Sequence, residues 1–171
     1  APRAGKYVTK EEAMKQRLDK AEDEAKKDVY PLEKITTIVI EFLEKVGCEN
    51  PVSLEIKNIA DFLTPRIRSR KYNQLKEKYD LNNRKPLVWM KFTTDGYLGV
   101  VAASDDINFD MDNTSGKIID HLNKNWNQDF VLVFPLSNIG DKERSDIECG
   151  IGNYLIDKDV PILDFYSHQY K

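Results

Sequence analysis

The spacing of the apolar residues changes at about residue 87, and this change limits the folds that the chain can adopt. Up to Tyr79 the apolar residues recur every three to four positions, as on one face of a helix. From Leu87 onward they alternate in twos or form short runs, as in strands. We therefore predict an α+β protein, with a helical N-terminal region followed by a small α/β domain built on a mixed sheet.

Four helices are predicted in the first half of the chain. A charged helix with a thin apolar stripe, capped by Thr9 and Glu12, is expected to be exposed within a unit spanning residues 1–30. A second unit, residues 31–85, contains helices at 33–46, 53–63 and 69–79. The third unit is the α/β domain, 86–171.

The second half of the chain reads as strands separated by two helices. Asp95-Gly96 is a strong signal for a hairpin turn between two strands, and Phe130–Leu136 is apolar enough for a strand buried on both faces. The predicted strands are 87–93, 97–103, a short one at 107–111, 130–136 and 160–166, and the predicted helices are 116–126 and 144–158. We expect the helices to connect parallel strands.

Positive charge is concentrated between Arg66 and Lys91. Nine basic residues there are opposed only by Glu77 and Asp80, which gives a local net charge of +7 in a chain of net charge −3. Such a segment favours contact with phosphate, with an acidic partner protein, or with the acidic second half of the same chain. The candidate nucleic-acid-binding residues are Arg66, Arg68, Arg70, Lys71, Lys78, Arg84 and Lys85.

Three helices followed by the 87–103 hairpin is also the element order of a winged helix. In that arrangement the third helix would enter a DNA groove, and here the third helix carries the basic charge.

The segments Leu98–Asp105, Val131–Asp141 and Val160–Asp164 resemble, in this order, the Holliday-junction-resolvase-like proteins, which have a ribonuclease H-like fold. The resemblance covers residues 87–167. It implies a metal-dependent nuclease in which clustered carboxylates bind Mg²⁺, with Asp95, Glu148 and Asp164 as the catalytic candidates. This chain departs from the family pattern, because Phe92 stands where the family has an Asp in the first strand and Phe165 where it has an Arg. These departures predict a member that binds and does not cut.

The position of Glu148 early in a helix after a buried strand also resembles nucleoside deoxyribosyltransferases. That resemblance implies a third hypothesis, a glycosidic-bond-cleaving enzyme that uses Glu148.

The sequence as a whole favours a non-enzymatic binding or assembly protein that needs no cofactor. Its expected partner is a nucleic acid or an acidic protein, within a larger assembly. No apolar run has the length of a membrane helix, and the N-terminus lacks the apolar core of a signal peptide. We therefore expect a protein of the cytoplasm or an organelle matrix that is neither inserted in a membrane nor secreted.

Overall fold

A computed structural model describes residues 9–57, 65–107, 114–136 and 143–165, with the backbone alone described for residues 65–71 and 114. The helices are α1 (Lys10–Ala25), α2 (Leu32–Lys45), α3 (Pro65–Lys78), α4 (Thr114–His121) and α5 (Arg144–Asp157). The strands are β1 (Leu54–Lys57), β2 (Leu87–Phe92), β3 (Leu98–Ser104) and β4 (Phe130–Pro135). The predicted α+β class is confirmed.

The four strands form one sheet in the order β1-β4-β2-β3, and every neighbouring pair is antiparallel. The expectation of parallel strands joined by helical crossovers is therefore wrong for β2 and β4, which lie side by side in opposite directions. The predicted strand 160–166 contributes a single parallel bridge, Ile162 to Leu98. The predicted strand at 107–111 lies almost wholly outside the described residues.

The helix predicted at 53–63 is wrong over residues 54–57, which form β1, and residues 58–63 lie outside the described part. The apolar spacing of this segment fits a helix, but pairing with the buried strand β4 places Ile56 opposite Val131 and decides the conformation. Strand β1 lies before α3, and residues 58–64 between them lie outside the described part, so the winged-helix order stays a prediction.

Apolar side chains cover both faces of the sheet. On one face Val88, Met90 and Phe92 pack with apolar residues of α2 and α5. On the other face Leu87 and Trp89 pack with Leu75 of α3 and with Leu81. Strand β2 lies between these two layers, which explains why all six of its residues are buried, including Lys91.

The hairpin and the long helices agree with the sequence analysis. Gly96 has φ = 97°, which the turn between β2 and β3 requires and which other residues rarely adopt. The Thr9 hydroxyl accepts a hydrogen bond from the Glu12 N–H at 3.1 Å, so α1 begins with the predicted cap. Across the described ranges, we find no helix of the length and hydrophobicity needed to span a bilayer.

Candidate functional site

Asp164, one of the three catalytic candidates, is the centre of a buried ion pair. Its side chain is 2% exposed, and Arg17 Nη2 lies 2.8 Å from both of its carboxylate oxygens. Arg17 Nε donates a further bond to Oδ1 at 3.2 Å, and the Ser115 hydroxyl donates to Oδ2. Arg17, Ser115 and Asp164 lie far apart in the sequence and meet only in the fold. Their bonds therefore connect α1, α4 and the C-terminal segment.

Asp95 lies in the hairpin turn, where it has partners of its own. The Thr93 hydroxyl donates to Oδ1 at 2.5 Å, and Lys124 Nζ lies 2.5 Å from Oδ2. Partial burial alone would raise the pKa of Asp95, but the bonds from Lys124 and Thr93 outweigh it and lower the pKa. This carboxylate is therefore kept ionised, and its contacts stabilise the turn.

Glu148 reaches the edge of the sheet from α5. Its Oε2 accepts a hydrogen bond from the backbone N–H of Ala103 in β3 at 3.1 Å. Burial raises the pKa of Glu148, while this bond and the charge of Arg144 oppose the rise. The carboxylate thus satisfies a backbone donor on an edge strand.

The three carboxylates do not form a metal-binding cluster. Within the described ranges, no group of three or more His, Cys, Asp or Glu side chains is placed to bind a metal ion. Asp95, Glu148 and Asp164 each contact different partners, and both carboxylate oxygens of Asp164 accept hydrogen bonds from Arg17. The structure gives no support to Mg²⁺ binding by these residues, and both the nuclease and the glycosidic-bond hypotheses stay predictions.

The basic segment spans α3 and the turn that leads into β2. Arg66, Arg68, Arg70 and Lys71 lie in the first two turns of α3, and Lys78 is its last residue. Lys78 and Lys85 are exposed, and Arg84 is half-buried. In the part of the chain that the structure describes, Lys78, Arg84 and Lys85 make no ion pair with an acid.

Two other cations of this segment are used inside the molecule. Lys76 Nζ lies 3.7 Å from Asp106 Oδ1 and 4.6 Å from the centre of the Tyr72 ring, whose hydroxyl also bonds to Asp106 at 3.2 Å. Lys91 is 3% exposed, with its Nζ 5.6 Å from the Trp126 ring. The acidic second half of the chain therefore neutralises Lys76, and burial withdraws Lys91 from the surface.

Sequence reasoning named Asp164 but missed Arg17 and Ser115. Arg17 is one of many cations in a charged helix, and no local pattern distinguishes it from the others. Only the docking of α1 beside α4 brings the guanidinium to the carboxylate.

Comparison of the chain with protein-family models, with curated proteins and with solved structures found no match.

Proposed function

We propose that this chain is a non-enzymatic binding or assembly protein whose basic segment contacts the phosphates of a nucleic acid. The observation that carries the proposal is that exposed Lys78 and Lys85 and half-buried Arg84 have no acidic partner among the described residues. Apart from Lys76 and Lys91, the remaining cations of the segment are the seven candidate residues. Only Glu77 and Asp80 lie among them, so the segment keeps an excess of positive charge.

The core fixes the helix that bears these charges. Leu75 of α3 is buried in the cluster that contains Leu87 and Trp89, and Leu81 in the following turn is only 1% exposed. Because α3 and this turn are packed against the sheet, the backbone that carries Lys78 and Lys85 is held in place. A preorganised array of cations loses less conformational entropy on binding than a flexible tail would.

Nucleic acid is favoured over an acidic protein because the segment is almost uniformly positive. Phosphate contacts require repeated cations and little shape-specific apolar surface, and they give affinity without reading sequence. Apolar anchor residues, which dominate protein interfaces, are absent from the exposed residues of the described part of this segment. An acidic protein partner is the alternative outcome of the test.

The test is binding of labelled single-stranded, duplex and branched nucleic acids by fluorescence anisotropy across a salt series, with and without Mg²⁺. We expect binding that weakens steeply with salt both with and without Mg²⁺, and no cleavage when Mg²⁺ is present. A triple variant, Lys78→Gln/Arg84→Gln/Lys85→Gln, should reduce the slope of log K against log salt by about 3, or about 1 for each phosphate that the variant no longer neutralises.

The matched control is Lys15→Gln/Lys26→Gln/Lys34→Gln, which removes the same charge from exposed positions in α1, α2 and the turn between them. It should keep the parent slope, because these three lysines lie outside the basic segment. If net charge alone set the slope, both triple variants would lower it equally. No binding to any nucleic acid would refute the proposal and favour an acidic protein partner. Magnesium-dependent cleavage would contradict its non-enzymatic part.

A further inference from the structure

Strand β1 forms one edge of the sheet. It pairs with β4 on one side, and no segment in the described part of the chain pairs with its other side. An antiparallel ladder uses alternate N–H and C=O groups of a strand, so the other half of these groups in β1 points away from β4. Such an edge is a template for another strand.

The side chains of β1 carry opposite charges two residues apart. Glu55 and Lys57 are exposed on one face, and Ile56 between them is fully buried on the other. Neither charged residue makes an ion pair within the described ranges, whereas many edge strands carry charges of one sign that repel a second copy. Val52, just before the strand, is 45% exposed and adds apolar surface beside the edge.

These residues limit how two copies of β1 could pair. A two-fold antiparallel pairing must keep Ile56 on the core face of both sheets, because a shift of one residue would turn it to the opposite face. Of the registers that satisfy this, one places Glu55 opposite Glu55 of the second copy, and another places Lys57 opposite Lys57. The register centred on Ile56 instead places Glu55 opposite Lys57 twice, once on each side of the axis.

We propose that β1 is a homodimerisation edge, at which two copies pair antiparallel in the register centred on Ile56. The two four-stranded sheets then form one continuous sheet of eight strands, with a two-fold axis at Ile56. The backbone bonds supply the contact, and the two Glu55–Lys57 pairs select this register over its neighbours. The inference is independent of the proposed nucleic-acid binding, because β1 lies outside the basic segment.

The experiment is sedimentation velocity of the nucleic-acid-free chain over a wide concentration range, with two single variants. Glu55→Lys leaves lysine at both positions 55 and 57, and Lys57→Glu leaves glutamate at both. In a homodimer of either variant, like charges therefore lie opposite each other on both sides of the two-fold axis. We expect each to raise the dimer Kd about ten-fold or more, as two favourable pairs become two repulsive ones. An equimolar mixture of the two variants should dimerise again, now as a heterodimer.

The controls change the same charge elsewhere. Glu77→Lys and Lys26→Glu match the two single variants in net charge and should leave the Kd unchanged. Circular dichroism of each variant checks that the sheet is intact. A parent chain that is monomeric at all concentrations would overturn the proposal. The proposal would equally fail if the single variants dimerise like the parent, or if an equimolar mixture of them does not dimerise.

Discussion

Removal of Arg17 should destabilise the whole fold, although this residue lies in a charged helix in which only Ala21 and Glu24 are buried. Arg17→Met leaves Asp164, 2% exposed, with the Ser115 hydroxyl but without its guanidinium. Breaking a buried ion pair by removing one partner costs about 3–5 kcal/mol, since the other charge stays desolvated. We expect about 3 kcal/mol in this case, because the Arg17 side chain is itself 15% exposed and some water reaches the pair.

Urea unfolding followed by circular dichroism measures this cost. With a slope of about 2 kcal/mol/M, a loss of about 3 kcal/mol lowers the midpoint by about 1.5 M. The control Lys26→Met removes a cation that lies 3.9 Å from Asp23, with both side chains more than three-quarters exposed, and should shift the midpoint by little. The double variant Arg17→Met/Asp164→Leu should regain part of the loss, since an apolar pair needs no compensation but the Ser115 hydroxyl loses its acceptor. A cost below about 1 kcal/mol for Arg17→Met, equal to the control, would refute the reasoning.

Two further variants test contacts on α5. Burial raises the pKa of Glu148, so the folded state binds a proton more tightly than the unfolded state, and stability should fall as pH rises from 4.5 through the folded pKa. The variant Glu148→Gln can still accept the hydrogen bond from Ala103 and should flatten this pH dependence, measured by urea unfolding between about pH 4 and 8. An unchanged pH profile would exclude Glu148 as the source of the dependence. Gly152→Ala would place a Cβ 2.1 Å from the Phe165 ring and should lower stability by about 1–3 kcal/mol. Adding Phe165→Leu should restore part of that loss, and a fully stable Gly152→Ala protein would contradict the close packing.

Local signals were sufficient for the long helices and the hairpin. The face of α2 predicted from its 3.6-residue period is the one that packs in the core, where Ile35, Val39 and Leu43 are at most 1% exposed. The turn at Asp95-Gly96 was predicted because its chemistry depends on two adjacent residues alone. These elements depend on neighbours within a few positions, which a single sequence displays.

Features that depend on distant residues were not predictable in this way. The conformation of residues 54–57 is decided by pairing with β4, whose residues lie more than 70 positions later. The antiparallel orientation of β2 and β4 likewise depends on how the chain crosses the sheet, since the apolar runs of buried strands look alike in either direction. The Arg17–Asp164 pair spans 147 positions and leaves no local trace.

The slope of log K against log salt for nucleic-acid binding tests the central claim most directly. The account predicts a steep slope for the parent chain and a reduction by about 3 in the variant that lacks the charges of Lys78, Arg84 and Lys85. The control that lacks the charges of Lys15, Lys26 and Lys34 should keep the parent slope. Equal slopes for all three proteins, or no binding by the parent, would contradict the assignment of the basic segment as the phosphate-binding surface.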